Sequence, residues 1–352
     1  MNWLKKGLSL FCVLGLLASF AGCSQNKVEP SQPMGKAYFN WFDTVSYVYS
    51  YAGDPAERFE ELSAGVSGIL TEYHRLFDIY HEYSGINNLC TVNRLAGGEP
   101  LPVDPKLIEF LRYAQELYAR TEGEMNILLG PVLKIWHDHR TQATEDPASA
   151  SLPEQASLEA AVLHTDFSLL EIDEDKGTVR LTDPDAAIDV GALGKGYATE
   201  KAGQYLEQQQ ANGYVLNIGG NIRIVGTKPD GSGWRTAVKD PKDPESSYAA
   251  ILDIADTACV TSGNYERFFA VDGKQYHHII DPDTLWPAEQ FASVTIITRD
   301  SGLADALSTA LFCMSYEDGL AMVNGMDGVE VLWICHDGTL LHTEGMKALM
   351  TN

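Results

Sequence analysis

The segment that most constrains this chain is the glycine-rich stretch DVGALGKGYA at residues 189–198, which runs directly into a helix-like pattern at 197–210. Its three glycines lack a Cβ atom, so the backbone can approach a ligand or another element closely. A helix N-terminus offers free N–H groups to an anion, and Lys195 adds a positive charge. The spacing matches neither GxGxxG nor GxxxxGK[ST]. The segment alone therefore leaves two interpretations open, a phosphate-binding loop and a turn that packs strand on helix.

Strand-like and helix-like patterns interleave along the rest of the chain, and several pairs of strands are separated by turn signals. A strict alternation of strand and helix is absent. We therefore predict an α+β fold, a two-lobed single domain of mixed or antiparallel sheets with flanking helices. The main predicted elements are a strand at 37–51, helices at 55–84 and 106–121, a loop at 84–93, a hairpin at 167–181, strands on both sides of Gly219-Gly220, a helix at 301–314 and a hairpin at 328–343.

The net charge of −24 excludes some classes of partner. A strongly acidic protein is repelled by nucleic acid and by anionic membrane surfaces, so we predict binding to neither through charge. Phosphate ligands remain compatible with this charge, since one lysine and a metal ion can invert the local field.

The N-terminus has the pattern of a targeting segment. Lys5 and Lys6 precede a short apolar run at 8–20, and small residues then lead to Cys23. This pattern predicts a lipoprotein signal at 1–22 with lipid on Cys23, the alternative being a plain secretory signal. Residues 23–36 are predicted to be a flexible tether and 37–352 the folded domain. The cysteines of that domain, Cys90, Cys259, Cys313 and Cys335, form no CxxC pair and are predicted to be four buried free thiols.

Two further groups could carry chemistry. Asp305 and Thr309 lie four residues apart on a predicted helix and so share one face, where their oxygens would suit Mg²⁺. The structural alternative is a Thr hydroxyl that bonds back to its own helix. His277 and His278 alternate along a predicted strand, so at most one of them faces a site, where it could accept a proton.

Several blocks together resemble the ApbE-type flavin transferases. The glycine-rich segment continues as DVGALGKGYATE, which is similar to the signature of that family. The other blocks that carry the resemblance are NIGG at 217–220, WR…DP at 234–241, TSGNYER at 261–267, HIIDP at 278–282 and ADALSTA at 304–310. They occur in the family's order, and the similarity extends from about residue 37 to 345.

The resemblance implies an activity and a set of site residues. Members of this family bind FAD with Mg²⁺, transfer its FMN half to a Thr or Ser hydroxyl of a flavoprotein and release AMP. It implies His278 as the catalytic base, and it implies a metal site made by Asp305, Thr309 and the backbone carbonyl of Ala192. Residues expected to contact the flavin nucleotide are Phe42, Asn93, Ala192, Lys195, Gly219, Gly220, Ser262 and Asp281.

The chain departs from the family pattern at three points. The usual Met-Gly-Thr appears as Phe42-Asp43-Thr44, the usual Gly after Thr284 is replaced by Leu285-Trp286, and Asn221 replaces a common Asp. Phe42 or Trp286 could stack on the isoalloxazine ring or serve only in packing. None of these changes removes a predicted metal ligand or the predicted base.

Two other functions stay open on the sequence. A Mg²⁺-dependent FAD pyrophosphatase would use the same site with water as the acceptor, and a flavin-binding lipoprotein would use it without catalysis. The implied partners are FAD, an acceptor domain of an electron-transfer complex and, through the lipid on Cys23, a membrane. The implied location is extracytoplasmic, either periplasmic or facing outward.

Overall fold

The computed structural model describes residues 32–351, which belong to one compact unit. The predicted signal, Cys23 and most of the predicted tether lie outside these residues. The first strand begins at Met34, three residues before the predicted start of the folded domain, because its backbone pairs with Ser50 across a hairpin. Within the described range, no helix combines the length and the apolar character needed to cross a bilayer.

The strands form four sheets, and every strand pair in the described residues is antiparallel. The largest sheet has the order β1-β2-β6-β7-β10-β13-β14-β15, and the smaller ones are β11-β12, β16-β9-β8 and β3-β5-β4. The strands are β1 Met34–Trp41, β2 Thr44–Ser50, β3 Leu101–Pro102, β4 Leu170–Asp173, β5 Thr178–Leu181, β6 Tyr214–Ile218, β7 Asn221–Val225, β8 Trp234–Lys239, β9 Tyr248–Ile254, β10 Ala258–Gly263, β11 Phe268–Val271, β12 Lys274–His277, β13 Ser293–Thr298, β14 Glu330–Ile334, β15 Leu340–His342 and β16 Met350–Thr351.

Helices flank the large sheet. They are α1 Ala56–Phe77, α2 Leu89–Arg94, α3 Pro105–Arg120, α4 Gly130–Glu145, α5 Gln155–Ala161, α6 Gly194–Gln208, α7 Ser301–Cys313, α8 Tyr316–Val323 and α9 Glu344–Leu349. The prediction of an α+β fold with antiparallel sheets is thus confirmed. The predicted N-cap of α3 is present as well, since the Asp104 carboxylate accepts a hydrogen bond from the Lys106 N–H at 2.8 Å.

Three local predictions were wrong. Residues 37–51 form two strands rather than one, because Phe42 and Asp43 both adopt positive φ (53° and 50°) and make a tight turn between β1 and β2. The first helix ends at Phe77, well before residue 84. The loop predicted at 84–93 contains α2, whose first turn is capped by the buried side chain of Asn88.

A buried ion pair fixes how α6 lies against α7 and β7. Glu200, the last residue of the glycine-rich signature, accepts a hydrogen bond from Arg223 Nε at 3.1 Å and another from the Ser301 N–H at 3.0 Å. Arg223 is only 1% exposed and also contacts Glu207 at 2.6 Å. One carboxylate therefore connects the middle of α6 to the first residue of α7, the helix that carries Asp305 and Thr309.

The cysteines of the described region are all free, as predicted. Cys259 and Cys313 are buried, and burial raises the pKa of both thiols, so they are unreactive packing residues. Cys90 and Cys335 are partly exposed, so the prediction of burial was wrong for these two. Cys90 lies on the short helix α2, and Cys335 follows β14 at the start of an exposed turn, so neither is enclosed by the core.

Candidate active site

The centre of the site is the contact between the start of α6 and the middle of α7. The Gly196 N–H donates a hydrogen bond to Asp305 Oδ2 at 2.8 Å, and Lys195 Nζ lies 3.6 Å from the same oxygen. The approach is possible only because residue 196 has no side chain: a Cβ there would lie 2.4 Å from both Asp305 Cβ and the Ser301 carbonyl oxygen. The glycine-rich segment thus brings its backbone onto an almost fully buried carboxylate, with Asp305 4% exposed.

Three oxygen atoms near this contact are suited to a hard cation. In residues 32–351, neither the Thr309 hydroxyl nor the Ala192 carbonyl oxygen takes part in a hydrogen bond within the protein. The hydroxyl that bonds back to α7 belongs to Ser308, which donates to the Asp305 carbonyl at 2.9 Å. A carboxylate, a free hydroxyl and a free carbonyl form an all-oxygen donor set, the type that Mg²⁺ prefers. The residues present therefore fit the metal that the sequence implied.

His278 is available as a base, whereas His277 is not. Both ring nitrogens of His277 are engaged, Nδ1 with the Ile279 N–H at 3.3 Å and Nε2 with the Ala288 carbonyl at 2.9 Å. Among the described residues, His278 forms a ring hydrogen bond only through Nδ1, which lies 3.2 Å from the Arg267 carbonyl oxygen. A carbonyl can only accept, so Nδ1 carries the proton and Nε2 keeps a free lone pair.

The electrostatic surroundings keep His278 neutral. Burial and the positive charges of Arg267 and Arg140 lower the pKa of His278 to about 3. The imidazole is therefore unprotonated at neutral pH, the state that a general base requires.

Two hairpin turns bring other predicted ligand residues together. Phe42 lies in the β1–β2 turn and packs edge-on against the ring of His74, with ring centroids 5.6 Å apart. Gly219 and Gly220, with φ of 56° and 94°, form the β6–β7 turn. A Cβ on Gly219 would lie 2.4 Å from the Thr44 side chain, so the two turns are in direct contact. Gly219 is required both for the positive φ and for this contact.

Three predicted ligand residues make supporting contacts. Asn93 forms two hydrogen bonds with the backbone of Ile188, at 2.9 and 2.8 Å, and so fixes the chain just before the glycine-rich segment. Ser262 Oγ lies 2.8 Å from Ser308 Oγ on α7. Asp281 Oδ1 accepts the Asp283 N–H at 2.8 Å and caps the turn after β12. Their expected contacts with a flavin nucleotide stay predictions.

The departure at Leu285-Trp286 is a packing feature. Leu285 adopts φ +64°, a conformation that suits the glycine usual at this position, and its buried side chain (5% exposed) offsets the strain with apolar contacts. Trp286 packs edge-on against Trp136 at 5.1 Å, and its Nε1 donates to Gln155 Oε1 at 2.8 Å. Both of these contacts are to side chains of the protein.

The structure adds residues that the sequence analysis missed. Tyr80 is 56% exposed with its ring 5.6 Å from that of His137, and His137 accepts a hydrogen bond from Arg140 at 2.9 Å. Arg267 pairs with His278 across the β11–β12 hairpin. One signal could have found Arg140: it lies four residues, about one helical turn, after Trp136, so the two side chains share a face of the same helix.

Comparison with known sequences gives a consistent result. The model of the ApbE family matches residues 44–333. A FAD:protein FMN transferase from Vibrio cholerae is 30% identical over 325 residues, covering 91% of this chain and 90% of the relative. A FAD:protein FMN transferase from Klebsiella pneumoniae is 28% identical over 344 residues, covering 96% and 94%.

Solved structures are similar as well. The crystal structure of the ApbE protein from Thermotoga maritima superimposes with a TM-score of 0.79 at 27% identity, covering 91% of this chain and all of that one. The flavin transferase ApbE from Vibrio cholerae gives a TM-score of 0.74 at 25% identity, covering 91% of this chain and 100% of the other.

Proposed function

This chain belongs to the ApbE family, and on that premise we propose that it is a FAD:protein FMN transferase that needs Mg²⁺. Its substrates are FAD and a Thr or Ser hydroxyl of an acceptor flavoprotein, and its products are the flavinylated protein and AMP. The observation that carries this proposal is the contact of Gly196 and Lys195, at the start of α6, with the buried carboxylate of Asp305 on α7.

The proposed reaction is one displacement at phosphorus. The acceptor hydroxyl oxygen attacks the phosphorus of the FMN half, and a new P–O bond forms. The bond between that phosphorus and the bridging oxygen of the pyrophosphate breaks, and AMP leaves with the bridging oxygen. The hydroxyl proton passes to Nε2 of His278, whose Nδ1 is held by the Arg267 carbonyl.

The chain's own residues bind and orient the substrate. Lys195 adds positive charge beside Asp305, and Asp305, Thr309 and the Ala192 carbonyl would hold Mg²⁺. When bound, that ion supplies charge neutralisation on the pyrophosphate oxygens. The contact between Gly196 and Asp305 orients this donor set before substrate arrives.

A second candidate, hydrolysis of FAD to FMN and AMP, is favoured by the exposure around His278. Arg267 and Phe268, directly across the hairpin, are both exposed, and Phe268 is 42% accessible. Water could therefore reach Nε2 when no acceptor is bound. The two reactions share the site and differ only in the attacking oxygen.

One experiment separates these functions. Full-length protein in detergent would be mixed with FAD, Mg²⁺ and a candidate acceptor domain, and the acceptor's intact mass and released AMP would be followed together. We expect an FMN adduct with an equal amount of AMP. AMP and free FMN without an adduct would favour hydrolysis, and FAD bound without either product would overturn both catalytic proposals.

Replacing His278 with Ala should slow transfer by about 10²–10⁴-fold, the usual contribution of a general base, and should leave the affinity for FAD nearly unchanged. His277→Ala loses two structural hydrogen bonds and should instead lower stability. Single-turnover rates and FAD titrations would check this. A His278→Ala variant that transfers at the wild-type rate would contradict the role.

The pH profile provides a further check on His278. Because the pKa of His278 is lowered from 6.5 to about 3, its Nε2 stays unprotonated as the pH falls from about 7 to about 5. The value of kcat/KM for FAD should therefore not change over this pH range. An acid limb centred near 6.5 would contradict a desolvated neutral base.

We further propose that the protein is an extracytoplasmic lipoprotein anchored through Cys23. The Cys23→Ser variant should move from the membrane fraction to the soluble fraction and keep its activity. Cys12→Ser lies in the apolar run of the same signal and serves as the matched control, which should stay with the membrane. Retention of the Cys23→Ser variant in membranes would refute the lipid anchor.

A further inference from the structure

Two arginines beside His278 have no role in the reaction as proposed above. Arg140 lies on α4 and is partly buried, and Arg267 immediately precedes β11 and is exposed. They come from parts of the chain that are more than a hundred residues apart. Their convergence on one histidine is a product of the tertiary fold.

The packing of α4 against β11 explains why they converge. Trp136 of α4 contacts Phe269 of β11, with ring centroids 6.3 Å apart. Arg140 lies one helical turn beyond Trp136, and Arg267 lies two residues before Phe269, so each is on the contacting face of its element. Arg267 is also the partner of His278 across the hairpin, where the His278 N–H donates to the Arg267 carbonyl at 3.1 Å.

The charge of each guanidinium lacks a direct partner in the part of the chain that the structure describes. Among residues 32–351, neither forms an ion pair with a carboxylate. Arg140 donates only to His137 Nδ1, at 2.9 Å, and the Arg267 side chain donates no hydrogen bond in the same range. Arg223, by contrast, is buried and forms ion pairs with Glu200 and Glu207. In a protein of net charge −24, two neighbouring arginines without carboxylate partners are unusual.

Asp189 is one carboxylate whose charge acts on Arg140. Its Oδ1 already accepts the Gly191 N–H at 2.8 Å. Burial raises the pKa of Asp189, and the Gly191 N–H, His137, Arg140 and Lys195 oppose that effect. Asp305 pairs with Lys195 at 3.6 Å, and Asp189 and Asp43 are the other carboxylates whose charges act nearby. Neither of these two carboxylates forms an ion pair with Arg140 or Arg267 in the described residues, so a bound anion would supply the direct partner that both guanidinium groups lack.

We propose that Arg140 and Arg267 form an anion-binding pair that holds the pyrophosphate of the substrate beside His278, while Lys195 binds it from the α6 side. The inference rests on the proposed function and specifies which residues of this chain recognise the charged part of FAD. Planar guanidinium groups suit this task, since each can donate two parallel hydrogen bonds to phosphate oxygens. Burial and the charge of Arg267 lower the pKa of Arg140, which is consistent with a charged group awaiting an anion.

The test compares ligands with and without the pyrophosphate. Affinities of full-length protein in detergent would be measured for FAD, riboflavin and inorganic pyrophosphate, with EDTA present so that no metal contributes. Arg140→Gln and Arg267→Gln should each weaken FAD and pyrophosphate binding by about tenfold to a hundredfold. Riboflavin carries no phosphate, so it forms no hydrogen bond between a phosphate and either arginine. Its affinity for these variants should therefore stay within about twofold of its affinity for the wild type.

Two controls make the comparison specific. Lys228 is a cation elsewhere in the chain, and its Nζ lies 5.5 Å from the centroid of the Trp234 ring. Lys228→Gln should leave the affinities for FAD, riboflavin and pyrophosphate unchanged. Arg140→Lys keeps the positive charge but loses the two parallel N–H donors of the guanidinium group. Its loss of FAD affinity should therefore be smaller than that of Arg140→Gln.

The outcomes separate this inference from the proposed function. Glutamine variants that bind FAD as tightly as the wild type, or that lose FAD and riboflavin equally, would overturn the arginine pair while leaving the transferase proposal intact. Wild-type protein that binds pyrophosphate through these arginines but takes up no flavin would support the anion site and overturn the proposed function.

Discussion

Replacing Asp305 with Asn is expected to lower the Mg²⁺-dependent rate of flavin transfer by about a thousandfold. The substitution keeps the size of the side chain and an oxygen that can accept the Gly196 N–H, now at 2.8 Å, but it removes the charge. A bound metal contributes several kcal/mol of transition-state stabilisation, and each 1.36 kcal/mol changes a rate tenfold. Steady-state rates over a range of Mg²⁺ concentrations would measure the effect.

Two variants of the same helix test the specificity of this result. Thr309→Val is nearly isosteric and removes a hydroxyl that forms no hydrogen bond with any other part of residues 32–351. It should therefore raise the Mg²⁺ concentration needed for half-maximal rate. Ser308→Ala removes the hydroxyl that does bond back to Asp305, at 2.9 Å, and should leave the Mg²⁺ requirement unchanged. Full Mg²⁺-dependent activity in Asp305→Asn would remove the proposed metal site.

Replacing Gly196 with Ala is expected to lower the stability of this protein and its transfer activity together. The new Cβ would lie 2.4 Å from Asp305 Cβ and 2.4 Å from the Ser301 carbonyl, so α6 and α7 would have to separate. Overpacking of this kind costs about 1–3 kcal/mol and outweighs the helix-propensity gain of about 1 kcal/mol. The free energy of unfolding should fall, and transfer activity should fall with it because Asp305 is displaced.

Gly68 offers a matched control on α1. It is also a helical glycine, but it is exposed, and a Cβ there would meet no atom within 4 Å. Gly68→Ala should therefore raise the free energy of unfolding by about 0.5–1 kcal/mol through helix propensity alone. Denaturant unfolding of both variants in EDTA would check the pair. Equal effects of the two substitutions would contradict the close contact at Gly196.

Some of the site was predictable because it depends on local spacing. Asp305 and Thr309 share a helix face wherever that helix lies, since residues four apart align on one side. Strand alternation likewise requires His277 and His278 to point in different directions. Asp104-Pro105 marks a helix start because both residues suit that position in any helix.

Other features could not be read from local patterns. The hairpin at Phe42-Asp43 carries no Asn-Gly or similar turn signal, so residues 37–51 were expected to form one strand. The turn forms because β1 and β2 pair along their length and β2 is then covered by β6. Here tertiary pairing overrides a local sequence preference.

The sequence also could not predict which of two similar neighbouring side chains performs a given role. Ser308 rather than Thr309 bonds back to α7, and His277 rather than His278 has both nitrogens engaged. These assignments depend on partners, such as the Ala288 carbonyl, that come from other segments. A spacing rule specifies the face on which a group lies, but it does not identify what faces it.

By itself, the sequence determined the α+β class, the family and the helix face that presents Asp305 and Thr309, because each depends on periodicity or on blocks in a fixed order. Only the tertiary structure decided that Arg140 and Arg267 meet at His278 and that Gly196 lies on Asp305. Arg140 is separated from Arg267 and from His278, and Gly196 from Asp305, by more than a hundred positions along the chain. The distances of these contacts are set by how helices and sheets pack around a shared core, which local chemistry does not encode.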